Sequence, residues 1–83
     1  MQNTKDRLRQ NPNWRNQLEY FENTIGAVEI DKINGHYTIY PKGKPHEYEN
    51  LLTTMDITTL EGIALFMQAV TQAERIKRMF MEE

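Results

Sequence analysis

Residues 57–83 read ITTLEGIALFMQAVTQAERIKRMFMEE, a stretch with no proline in it. At about 100° per residue, Leu60, Ile63, Phe66, Met67, Val70 and Ala73 fall on one side, and Glu61, Gln68, Thr71, Gln72, Arg75 and Arg78 fall on the other. The pattern predicts one long amphipathic helix. Two signals mark its start. Thr58 with Glu61 fits a capping box, and Asp56 is the alternative cap, with Met55 and Leu60 as a hydrophobic staple. Gly62 lies close to the start, where its helix cost of ~1 kcal/mol is best tolerated.

The helix needs something to cover. Ahead of it, residues 27–33 (AVEIDKI) and 36–40 (HYTIY) flank Asn34-Gly35, a pair in which both residues tolerate positive φ and which marks a two-residue hairpin turn. That turn sets the register: Ile33 opposite His36, Lys32 opposite Tyr37, Asp31 opposite Thr38, Ile30 opposite Ile39, and Glu29 opposite Tyr40. Side chains alternate along a strand. One face therefore holds Val28, Ile30, Tyr37 and Ile39, with Lys32 near the turn. The other holds Glu29, Asp31, Ile33, His36, Thr38 and Tyr40 and is expected to look outward. A hairpin alone is marginal in water, so its apolar face must lie on helices.

Earlier still, Asn11-Pro12 reads as a helix start, with Asn11 as cap and Pro12 in the first helical position. Trp14, Leu18, Phe21 and Ile25 follow as one apolar stripe, predicting a helix over 12–22 that is stopped by Asn23, Thr24 and Gly26. Trp14 and Phe21 read as core residues packed on the hairpin, rather than as an aromatic binding cage. Residues 1–11 form a flexible polar segment, frayed or in a short exposed helix, with Leu8 its only large apolar side chain after Met1. Between hairpin and long helix, 41–45 is a loop with two prolines and a glycine. A third strand is expected over 46–55, with a short helical turn around Tyr48, Leu51 and Leu52 as the alternative.

Eighty-three residues make one domain with a small core. The absence of cysteine excludes a disulfide framework, a thiolate metal site and a cysteine nucleophile. No run reaches the ~18 apolar residues of a membrane span, and the first residues carry no apolar signal core, so a cytoplasmic protein is expected. The net charge of −2 is uneven. Residues 1–15 hold four basic side chains against one acid, 16–56 three against seven, and 57–83 three against four. With basic charge confined to the start, nucleic acid is a disfavoured partner.

Catalytic chemistry has little to stand on. There is no serine, and His36 and His46 lack metal-ligand spacing. His46 beside Glu47 and Glu49 reads as a solvated loop before a divalent-ion site, and Glu29 with Asp31 as a solubilising face before a carboxylate pair. Lys42-Gly43-Lys44 has basic charge and flexibility but none of the glycine spacing of a phosphate loop. No catalytic residue, metal or cofactor is expected.

The fold expected is a small single α+β domain. It comprises 1–11 as the flexible segment and 12–83 as helix, hairpin and long helix, with the helices packed on one face of the sheet. The function expected is a non-enzymatic, intracellular protein-interaction module. Small chains of this size and composition are common among accessory and inhibitor proteins of phages and mobile elements that bind a host protein, which is an argument from size alone. Its partner-facing residues are Glu29, Asp31, Ile33, His36, Thr38, Tyr40, Lys42 and Lys44, of which Tyr40 is the expected hot spot. A small charged ligand or nucleotide held by the tyrosines, lysines and histidines at the hairpin base is the first alternative. A nucleic-acid regulator using Lys5, Arg7, Arg9 and Arg15 is the second. About 25 helical residues span ~37 Å, longer than the ~30 Å width of so small a domain. Ile76, Met79 and Phe80 should therefore overshoot the core and support a homodimer, unless the N-terminal segment folds back over them.

Overall fold

The computed structural model describes residues 4–53 and 56–81. Helix α1 (Thr4–Arg9) leads into α2 (Pro12–Ile25), the hairpin strands β1 (Val28–Ile33) and β2 (His36–Pro41), a 3-10 turn at Tyr48–Asn50 and the long helix α3 (Leu60–Met81). The helices lie on one face of a two-stranded antiparallel sheet. Leu8, Leu18 and Phe21 from α1 and α2, Val28, Ile30, Tyr37 and Ile39 from the hairpin, and Ile63 and Met67 from α3 make one buried cluster.

The hairpin has the register its turn dictates, from Ile33 opposite His36 to Glu29 opposite Tyr40, with Val28 opposite Pro41 as a further pair. Asn34 at φ 52° and Gly35 at φ 82° give the two positive-φ positions of a turn whose twist matches the strands. Lys32, on the inner face near the turn, lays its ammonium 5.2 Å from the centre of the Tyr37 ring. Asn11 caps α2 as its sequence implies, its side-chain oxygen accepting from the backbone N–H groups of Asn13 and Trp14.

Several expectations are corrected. Helix α2 runs through Asn23 and Thr24 to Ile25 before Gly26 ends it, and the Thr24 hydroxyl donates back to the Tyr20 carbonyl at 2.7 Å. Trp14 is half-buried at the rim of the core, while Leu18 and Phe21 fill its centre. The start of α3 is capped by Thr59, whose hydroxyl oxygen accepts the Gly62 N–H at 2.9 Å, rather than by Thr58 or Asp56. The proposed staple partner Met55 lies outside the described residues. A Cβ at Gly62 would stand 3.0 Å from the Ile57 side chain and 3.1 Å from the Thr59 hydroxyl, so the glycine makes room for the cap. The buried face of α3 is also rotated from the expected stripe. Ala64 and Thr71 are inside and Ala73 is outside, and the Thr71 hydroxyl is satisfied by the Met67 carbonyl at 2.8 Å.

The N-terminal segment contributes to the core through α1, whose Leu8 is wholly buried. Lys5 holds this helix in place. Its ammonium reaches Glu22 at 3.1 Å and the Val28 carbonyl at 3.0 Å, while the same Glu22 oxygen accepts the Val28 N–H at 3.0 Å. One carboxylate thus ties α1, α2 and the start of β1 together. Neither ion-pair side chain is more than about a fifth exposed, so the bonds are shielded from solvent.

No third strand joins the sheet among the described residues. The 3-10 turn occupies the centre of the stretch, and the chain then passes along the free edge of β2. There Leu52 N–H donates to the Ile39 carbonyl at 2.7 Å, Ile39 N–H to the Thr53 hydroxyl at 3.2 Å, and Tyr37 N–H to the Ile57 carbonyl at 2.8 Å. The edge is satisfied by an irregular segment that borrows a side-chain oxygen where a strand would offer a carbonyl.

Candidate functional site

The outer hairpin face is not open. The chain turns at 42–44, where Lys44 N–H donates to the Pro41 carbonyl at 3.1 Å and Gly43 takes φ 89°. It then returns across the sheet. His46 is the contact that lays it down: Nε2 lies 2.8 Å from the Thr38 hydroxyl, and its ring meets Tyr40 edge-on with centroids 5.0 Å apart. Thr38, expected outside, is only 2% exposed beneath this loop. Tyr40 and Asp31, diagonal neighbours on the same face, are both half-buried, and the Tyr40 hydroxyl donates to the Asp31 carboxylate at 2.7 Å. That bond, burial, and the charges of Asp31 and Glu29 push the Tyr40 phenol up from 10.0 to about 12.

Of the eight residues read as partner-facing, Thr38 is thus interior. Asp31, Tyr40 and His36 are half-buried, with His36 Nδ1 enclosed and without a hydrogen-bond partner among the described residues. Glu29 is half-buried, and Ile33, Lys42 and Lys44 are exposed. The structure brings Asp31, Thr38 and Tyr40 together and adds His46, which the sequence placed only in a solvated loop.

The bonds that carry the loop also shape its tip. Asn50 uses its side-chain amide on the Pro45 carbonyl at 2.9 Å and its backbone N–H on the Glu47 carbonyl at 2.9 Å. This closes the turn at Tyr48–Asn50 and stands Tyr48 outward, 84% exposed, between Glu47 and Glu49. Tyr48 is the residue that sequence reasoning missed as a surface feature. Its signal was the run Pro45-His46-Glu47-Tyr48, an aromatic set among polar residues without strand alternation.

Thr38 and His46 are at nucleophile–base distance, but Thr38 is out of reach of any substrate, and among the described residues no carboxylate hydrogen-bonds His46. No group of three histidines or acids among the described residues is placed to hold a metal ion. The basic N-terminal group is divided: Lys5 is engaged in the interior, Arg9 pairs with Asp6 at 3.3 Å, and Arg7 and Arg15 are exposed.

Two grooves flank α3. One, lined by Gln17, Tyr20, Gln68 and Arg75, runs against α2, with the Arg75 guanidinium 5.4 Å from the Tyr20 ring centre. The other is more apolar, about 310 Å³, and opens between Ile25, Leu52, Phe66 and Val70. Beyond them the last turns of α3 leave the body of the protein, whose extents are 46 × 31 × 23 Å. Ile76, Met79, Phe80 and Met81 are all more than half exposed there, and α1 packs on α2 and β1 rather than over them. No described helix is long and apolar enough to cross a membrane. No protein-family model, curated protein or solved structure matches the chain significantly.

Proposed function

We propose that this protein is a non-enzymatic interaction module that binds a partner protein through the loop 42–53 standing on the outer hairpin face. The observation that carries the reading is Tyr48, 84% exposed on a turn whose backbone is tied down on both sides. A tyrosine offers a large, rigid, partly apolar contact at little entropic cost, and tyrosines are over-represented among binding hot spots. Its setting supports the same use. A loop already held in one conformation has less to lose on association. Lys42, Lys44, Glu47 and Glu49 surround the tip with mixed charge, which serves orientation and discrimination between partners. In this reading Tyr40, Asp31, Thr38 and His46 position the loop, while Tyr48, Ile33, Lys42 and Lys44 face the partner. An inhibitor or accessory role against a host protein is one form such a module takes.

The experiment is affinity capture from the native source with the full chain as bait, read by quantitative mass spectrometry of proteins and small molecules. Tyr48→Ala should reduce retention of the partner by roughly 30-fold, the equivalent of a ~2 kcal/mol hot spot, while Phe80→Glu retains it. Equal retention by wild type and Tyr48→Ala would reject the loop as the docking surface. A bound small molecule in place of a protein would reject the partner class.

A further inference from the structure

The groove between α2 and α3 is polar where the seam of two packed helices is ordinarily apolar. Gln17 and Tyr20 line it from α2, and Gln68, Thr71, Gln72 and Arg75 from α3, around a space of about 220 Å³. Two of its polar groups are left over by the fold. Gln17 spends its amide nitrogen on the side-chain oxygen of Gln68 at 3.5 Å, the outer limit of a hydrogen bond. Its own Oε1 is enclosed and has no hydrogen-bond partner among the described residues. An enclosed acceptor left unpaired is costly, so the atom calls for a donor. Thr71, 5% exposed, is not that donor, because its hydroxyl is already given to the Met67 carbonyl. Arg75 is the second group. Its guanidinium lies 5.4 Å from the Tyr20 ring centre, and among the described residues no carboxylate pairs with it.

We propose that this groove binds a small organic carboxylate with a neutral amide N–H one or two carbons from the carboxyl group. An N-acyl amino acid has that chemistry, and so does the C-terminal residue of a peptide. Charge supplies the first half of the argument. Arg75 is the one charged side chain among those lining the groove, and a planar guanidinium takes a carboxylate through two parallel hydrogen bonds. Gln17 supplies the second half. Its Oε1 accepts an N–H, and with no carboxylate in the lining to balance an ammonium, the donor that fits is uncharged. Gln68 and Gln72 bring further amide groups, which suit the acyl carbonyl of such a ligand. Spacing agrees. Gln17 and the Tyr20 beneath Arg75 are three residues apart on α2, ~4.5 Å along the axis. A carboxylate and an N–H on either side of one carbon bridge that separation once each adds a hydrogen bond of ~2.9 Å. Size narrows the class. The space is below the ~300–1,000 Å³ of drug-sized sites, so the part that is held has about ten non-hydrogen atoms, too few for a nucleotide. The groove shares no residue with loop 42–53, and the proposal stands whether or not that loop binds a protein.

The test is a titration of the full chain with N-acetylglycine, followed by proton–nitrogen correlation NMR. The side-chain amides of Gln17, Gln68 and Gln72 report on the groove directly. They should shift saturably, with a dissociation constant on the order of 0.1–1 mM for so small a ligand. Acetate, which lacks the N–H, and N-acetylglycinamide, which lacks the charge, should each bind roughly 10-fold more weakly or worse. Arg75→Gln and Gln17→Met should each weaken N-acetylglycine by roughly 10-fold or more, the backbone spectrum of each variant confirming that it is folded. A tripeptide ending in a free glycine carboxylate separates the two sources. Binding at least as tight as that of N-acetylglycine assigns the site to a chain terminus, and exclusion of the tripeptide assigns it to the free acyl amino acid. No saturable shift of these amides, equal affinity for the neutral amide, or full affinity in Arg75→Gln would each overturn the proposal.

Discussion

Tyr40 illustrates how a residue suited to one role is taken up by another. An exposed tyrosine at the end of a strand is a natural contact residue, yet here its hydroxyl is committed to Asp31 and its ring to His46. The neutral phenol is the form that the fold favours. The stability it contributes is present below its ordinary value of 10.0 and is lost as the pH rises from 10 towards about 12. Tyrosinate absorbance should place one ionisation near pH 12, deleted in Tyr40→Phe and shifted down in Asp31→Asn. Ionisation of Tyr40 at its ordinary value would show that the bond to Asp31 does not persist in solution. Thr38 teaches a related lesson. Strict alternation put it on the outer face, correctly, but alternation is blind to a loop that returns over that face from eight residues further on.

At the scale of elements, legibility followed locality. Asn34-Gly35 determines a register within two residues, and Asn11-Pro12 determines a helix start within one turn, so both were readable from the chain. The cap of α3 was not, because Asp56, Thr58 and Thr59 are all competent and only the approach of Ile57 to Gly62 selects the last. The 3-10 turn and the edge segment after it satisfy their backbone groups through side chains of Asn50 and Thr53, which leaves no periodicity to read. Helix α1 was the least legible of all. Six residues with one large apolar side chain cannot hold a helix alone. What holds this one is a buried Leu8 and a lysine reaching a carboxylate seventeen residues away. Leu8→Ala should cost ~2–5 kcal/mol, as for a wholly buried leucine. Trp14→Ala should cost less, because the indole packs at the rim of the core and is only partly buried. Chemical denaturation measures both. A neutral Leu8→Ala would return residues 4–9 to the status of a tail.

At the scale of the whole molecule, the surfaces divide by kind. One side presents a tied-down loop with an exposed tyrosine and mixed charge, and the last turns of α3 present Ile76, Met79, Phe80 and Met81 to solvent. The core between them is small, which makes each of these commitments a large fraction of the total stability. The sequence carried the expectation of an apolar overshoot at Ile76, Met79 and Phe80, and their exposure agrees with it. The functional reading depends above all on loop 42–53 being ordered before any partner arrives. Amide hydrogen exchange on the free protein measures this residue by residue. The amides of Leu52, Ile39 and Tyr37, each bonded across the edge of β2, should be protected at least 100-fold over the unfolded chain, by about 3 kcal/mol of local stability. Exchange of Leu52 at the rate of an unfolded chain, with Asp31, whose pair with Thr38 is a hydrogen-bonded one, still protected in the sheet, would mean that the loop is not held in place and that Tyr48 is not a ready-made contact.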